Sequence, residues 1–407
     1  MQEGPMYPSD DLLPTLEEGV YPLSRLFRPT PLKSDSPYPF LRVLLSLSLE
    51  KESVDAALAL SPVLPDQDAR RDASLIARTE ARQAISLSGW LSSRNEPENL
   101  ALFYALLTLE LSASLAQRMT DGPVRKVLDF FIPEYLDELY RVANLMALHG
   151  AESAQSLLNG YAEIMPGRPL IACHRHPYDC VSLPVSSPSV WESLALLMLS
   201  AVEKEKFQLY LRLSSAANDE LSSSFFGELS LLSQQHRASL CSLFPAQAPL
   251  DVLLLCQYAE CYLYDSCAQL CPNRDLAAYA SEERDHELSH LRKISALRNR
   301  SQQDSKPLPA FPPPLSLGPN KGYVRDTLQN IGVTARREGF IPVGSLPRGA
   351  DFFRWQKRLC PDPAAAPSHQ VIQSVIDKNG SDYRFEIAPH PVEALRNRSA
   401  NPIDLGR

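Results

Sequence analysis

Leucine, alanine and aromatic residues recur every three to four positions through long proline-free stretches, a period that predicts amphipathic helices rather than strands. The expected helices fall near 68–94, 98–120, 125–149, 190–214, 219–243, 250–270 and 275–298. "NEPENLALF" starts one near Asn95, Glu96 and Pro97, and "PSVWESLALL" starts another after Ser189. "SSPSV", "ANDE", "FPAQAPL" and "CPNRD" supply breaks between periodic runs. No period-two alternation is strong enough to predict a sheet, so the fold class is all-α.

Proline placement organises the chain. The 35 prolines crowd the first forty residues, the 160–190 stretch, "KPLPAFPPPLSLGP" and the tail, whereas glycine is scarce at 16. The expected order is an irregular N-terminal segment (1–66), a helical domain (67–165) and a His-rich connecting loop (166–189). A four-helix bundle (190–300), a proline-rich linker or strap (301–319) and a C-terminal segment of short helices (320–407) follow. "DFFRWQKRL" is the clearest of those short helices.

Charge narrows the function classes. A formal net charge of -8 over 407 residues lacks the basic footprint of a nucleic-acid binder. The start "MQEGPMYPSDDLLPTLEEGV" has no basic stretch followed by an apolar one, and "DVLLLCQYAECYLY" is too short and too polar to span a bilayer. The expectation is a cytoplasmic protein with neither nucleic-acid nor membrane partners. Eight cysteines, mostly single within helical patterns, fit a reducing compartment. "CHRHPYDC" has the composition of a zinc cluster but not the paired Cys-x2-Cys spacing.

Candidate chemistry emerges where the apolar seams are interrupted. Leu196, Leu199, Phe207 and Tyr210 form one seam, and Glu203 falls on it. Phe225, Leu229, Leu232 and Leu240 form the next, with His236 among them. Leu253, Cys256, Leu263 and Cys267 carry Glu260; Tyr279, Ile294 and Leu297 frame Glu283, His286, Glu287 and His290. A lone buried carboxylate costs several kcal/mol or neutralises itself, whereas carboxylates and imidazoles converging on a cation are compensated.

This arrangement resembles the ferritin-like di-iron carboxylate superfamily, which includes the rubrerythrin-like proteins. The superfamily pattern is a Glu on each of two helices and Glu-x-x-His on each of the other two. "YAECYLYDSC" and "HELSHLRK" carry the resemblance most specifically. Glu203 matches the first helix, Glu260 the third, and Glu287-x-x-His290 the fourth. The second helix keeps only His236, because Ser233 stands where the carboxylate belongs. The resemblance implies a metal site of Glu203, His236, Glu260, Glu287 and His290. Since Ser233 cannot bridge two ions, one divalent ion (iron, manganese or zinc) is expected.

"HELSH" also carries the letters of a zinc-protease motif. A zinc protease needs a third ligand, but Lys293 and Ala296 occupy the positions that would continue its motif. His286 is accordingly assigned a supporting or surface role. A weaker second set comprises Glu110 and Glu134, with His174 and His176 from the connecting loop; Glu134 follows Pro133 at an expected helix start. The resemblance leaves two functions open. One is a metal-handling protein or oxidoreductase with an incomplete site. The other is a metal-free scaffold, either a homodimer or the partner of an intact ferritin-like paralogue.

Overall fold

The computed structural model describes residues 31–64, 66–91, 97–151, 170–245, 248–301, 308–330, 333–336, 339–342 and 349–380. These are almost entirely helical. In chain order the elements are α1 (Tyr38–Leu60), α2 (Gln67–Trp90), α3 (Pro97–Ala116), α4 (Pro123–Leu148), α5 (Val190–Ala216), α6 (Glu220–Leu243), α7 (Pro249–Leu270) and α8 (Arg274–Ser301). Then come α9 (Lys321–Asn330), the antiparallel pair β1 (Val333–Arg336) and β2 (Gly339–Pro342), α10 (Asp351–Leu359) and α11 (Pro367–Asn379). The expected start of α3 at Asn95 or Glu96 lies outside the described residues, as do 1–30 and 381–407.

Local signals account for the boundaries. The Asp66 side chain accepts from the Ala69 amide at 2.7 Å, capping α2. Asp219 accepts from the Ser222 amide at 2.8 Å and caps α6. Asn273 accepts from the Leu276 amide at 2.9 Å at the start of α8. Pro249 and Pro367 stand in the first turns of α7 and α11, where the missing amide proton leaves no helical hydrogen bond unmade. Gly380 ends α11 with a left-handed φ of 71°, the conformation a helix C-terminus most often assigns to glycine.

The chain forms two compact units, each interrupted in sequence. Unit 1 comprises Met1–Asn95, Pro188–Ala201 and Ala246–Leu317; unit 2 comprises Glu96–Ser187, Val202–Pro245 and Gly318–Arg407. In unit 1, α1 packs on α2 and α7, and α7 and α2 each pack on α8. In unit 2, α3 packs on α4, which meets α6, α9 and α11.

Three sequence expectations are corrected. The segment 1–66 is not irregular throughout, since α1 occupies its second half. It follows proline-rich sequence and shows no polar stripe where Phe40 through Glu50 are all buried, so neither a start signal nor a period marks it. Second, the helices expected to form one bundle over 190–300 are divided. Most of α5 and all of α6 belong to unit 2, while α7 and α8 belong to unit 1 with α1 and α2. Third, Pro133 does not start a helix; α4 runs through it. The 320–407 segment holds short helices and also the β1–β2 pair.

The proline-rich stretch lies as a strap along α7. Tyr258 donates to the Ala310 carbonyl at 3.0 Å and Tyr262 to that of Pro313 at 2.9 Å. The Leu315 amide donates to Ser266 at 3.0 Å, and Phe311 packs edge-on against Tyr258. The length and composition of α3 would suffice to cross a membrane, yet Ala101 through Ala116 are buried within unit 2, as in a core helix.

Candidate metal centre

Unit 1 gathers ionisable side chains from all four of its long helices. Glu50 on α1, Glu80 on α2, Glu260 on α7, and Glu287 and His290 on α8 are each at most 1 % exposed. Ligand atoms of Glu50, Glu80 and Glu260 lie within 4.8 Å of one another, and so do those of Glu80, Glu287 and His290. The two triads share Glu80. His290 Nδ1 sits 3.0 Å from Glu80 Oε1 and 3.2 Å from Glu287 Oε2.

Amides and hydroxyls hold these carboxylates in place. Gln83 Nε2 donates to Glu287 Oε1 at 2.5 Å and to Glu283 at 3.0 Å. Gln257 Nε2 reaches Glu80 Oε1 at 3.0 Å, Glu260 Oε2 at 2.5 Å and Ser53 at 2.9 Å. Ser53 donates to Glu260 at 3.2 Å, and the Tyr264 hydroxyl donates to Glu50 Oε1 at 2.5 Å. Three buried atoms still lack a hydrogen-bond partner: Glu260 Oε1, Gln83 Oε1 and His290 Nε2.

The electrostatics are those of a crowded anionic site. Burial, then the charges of Glu80, Glu260 and Glu287, pushes the Glu50 carboxyl well above the carboxylate range. Glu260 is pushed up likewise by burial and by Glu80 and Glu287, against the hydrogen bonds from Ser53 and Gln257. Burial and Glu80 raise Glu287, partly offset by His290 and Gln83. Burial also works to raise Glu80, but a hydrogen bond from Glu50 and the His290 charge outweigh it and hold Glu80 low. Burial would lower His290; Glu287 and Glu80 instead raise it to about 10. The carboxyls raised by burial and the imidazole raised by its carboxylate neighbours both lessen the excess negative charge of the site.

Three of the five sequence-derived ligands, Glu260, Glu287 and His290, therefore meet in unit 1. The other two belong to unit 2. There Glu203 Oε1 lies 3.3 Å from Lys206 Nζ and 3.4 Å from His236 Nδ1. His236 Nε2 lies 2.8 Å from Glu134 Oε2, and Glu134 also pairs with Arg175. The expectation that Glu203 and His236 join Glu260, Glu287 and His290 at one ion is corrected, because consecutive helices fold into different units.

The weaker candidates have other partners. Glu110 accepts from the Asn320 side chain at 2.7 Å and from its backbone amide at 3.0 Å. His174 is buried, and burial holds its imidazole down at about 4. His176 is exposed, accepts from the Tyr178 amide at 3.2 Å and packs edge-on against Trp355. His286 has its Nδ1 3.4 Å from Glu283 Oε2.

Sequence reasoning missed Glu50 and Glu80. Glu50 closes "LLSLSLE" in a segment read as irregular. Glu80-x-x-Gln83 has the spacing of Glu287-x-x-His290, but an amide where an imidazole is sought carries no ligand signal. Spacing alone was the available clue: Glu50 to Glu80 is 30 residues and Glu260 to Glu287 is 27. Comparison with protein families, curated proteins and solved structures finds no match to this chain.

Proposed function

We propose that unit 1 is a ferritin-like four-helix bundle that carries two divalent metal ions and works as an iron or manganese oxidoreductase or metal-handling centre. Glu50, Glu80 and Glu260 would hold one ion, and Glu80, Glu287 and His290 the other. The single observation behind this reading is the pair of buried triads that share the Glu80 carboxylate. A carboxylate is the group able to bridge two cations, and the superfamily pattern places such a residue on the second helix. The expectation of one ion rested on Ser233 in that role; Glu80 now takes it.

The donor set is four carboxylates and one imidazole, which favours hard or borderline ions over soft ones. A pair of redox-active ions would supply one-electron steps to oxygen or peroxide chemistry. The chain's own residues orient the donors: Gln257 fixes Glu80 and Glu260, Gln83 fixes Glu287, and Tyr264 fixes Glu50. Such outer hydrogen bonds commonly change metal affinity by about 10- to 100-fold when lost. The departure from the superfamily pattern is Gln83, which leaves the second helix without an imidazole.

Metal analysis of the full chain purified without chelator tests this reading. About two ions of iron or manganese per chain are expected, falling below about a tenth of that in Glu80→Ala. A folded Glu80→Ala variant that keeps its full metal content would overturn the proposal. The scaffold alternative draws its support from unit 2, where Ser233 and the basic groups leave no comparable anionic excess.

A further inference from the structure

Unit 2 carries its own buried polar centre, and its charges differ from those of unit 1. Glu134, Glu138 and Glu203 face three basic side chains: Arg175, Lys206 and His236. Lys206 is fully buried. Its ammonium lies 2.9 Å from Glu138 Oε2, 3.3 Å from Glu203 Oε1 and 3.5 Å from Thr108 Oγ1. It also sits 4.9 Å from the centroid of the Tyr135 ring, whose face attracts cations. The Tyr210 hydroxyl donates to the second oxygen of Glu138 at 2.5 Å. Acceptors from α3, α4 and α5 thus surround one point of positive charge.

Glu138 and Glu203 present carboxylates to that point, and His236 lies against Glu203. Buried Ser233 Oγ has no hydrogen-bond partner. A long side chain buried to its tip needs an opposing charge, and removing either member of such a pair is strongly destabilising. Three acids against three bases make this centre nearly neutral as it stands. Unit 1 sets four carboxylates against one imidazole.

We infer that Lys206 is the resident cation of a second carboxylate centre, its ammonium filling the place of a divalent ion, so that unit 2 is metal-free until Lys206 is removed. The inference concerns unit 2 alone and does not require the two-metal reading of unit 1. If it holds, a shorter residue at 206 leaves the Glu138 and Glu203 carboxylates without their cation, with His236 beside Glu203, and a small divalent ion can draw the three together.

The test uses the full chain carrying Glu80→Ala and Glu287→Ala, which silences unit 1, with Co2+ as the probe read by visible absorption and metal content. This parent is expected to bind less than about a tenth of an ion per chain, and adding Lys206→Ala to raise that to about one. Adding His236→Ala to the Lys206→Ala protein should abolish the gain, and Lys206→Arg, which keeps a cation, should not produce it. Lys206→Met is expected to lower the melting temperature, with Co2+ raising it again. Co2+ bound by the parent with Lys206 intact, and lost with His236→Ala, overturns the inference. So does a folded Lys206→Ala protein that takes up no Co2+, or a Lys206→Met protein as stable as the parent. Failure of the unit 1 reading would show instead as metal-free protein before any substitution is made.

Discussion

A carboxyl group buried among other carboxyls keeps its proton until a cation displaces it. Glu50, Glu260 and Glu287 are all held above their ordinary range by burial and by their neighbours. Metal binding in unit 1 is therefore expected to release protons and to tighten as pH rises. Calorimetry in buffers of differing ionisation enthalpy checks this; affinity independent of pH between about 6 and 8 would contradict it. Glu203 behaves oppositely. Burial would raise it, but the Lys206 charge, His236 and Tyr135 hold it at about 2 against an ordinary 4.5. Its stabilising contribution is present above pH 4.5 and is lost as pH falls from there toward 2, so Glu203→Gln should lessen the acid loss of stability in that window. Thermal melts along the pH series report the difference. At this scale the sequence disclosed Glu260, Glu287 and His290, because each interrupts an apolar seam. Glu80 stayed hidden behind Gln83, and nothing in "EKEK" sets Lys206 apart from its charged neighbours.

Helices with a polar face were legible, and so was α3, largely buried but announced by its start signal; α1, with neither, was not. α8 alternates charged and apolar stripes and starts at a capping Asn273, so its range followed from pattern and punctuation. α1 is buried along most of its length and is preceded by proline-rich sequence, so neither periodicity nor composition marked it. Its contribution is nonetheless structural as well as chemical, because the helix that supplies Glu50 also packs on α2 and α7. Leu44 is 1 % exposed in the middle of it. Leu44→Ala is expected to cost about 2–5 kcal/mol, by lost burial and the cavity left behind, measured by urea unfolding. A cost under about 0.5 kcal/mol would show that α1 does not contribute to the core as described. α4 illustrates the converse error, a proline read as a boundary that lies inside a helix held by its neighbours.

For the whole molecule, the order of helices in sequence does not give their grouping in space. Short connections suggested that α5 to α8 form one bundle, since consecutive helices usually pack together. Instead unit 1 joins the helix pair α1–α2 to the pair α7–α8, and α3, α4, most of α5 and α6 build unit 2 around its own basic side chains. No local signal distinguishes those groupings; long-range pairing between α1 and α7 does, and a single sequence does not encode it visibly. Anomalous X-ray scattering from crystals of the protein grown with Mn2+ tests the consequence most directly. Two peaks about 3.5–4 Å apart, flanking Glu80 and bounded by Glu50, Glu260, Glu287 and His290, are the expected result. A peak beside Glu203 and His236, with none at Glu80, would contradict it.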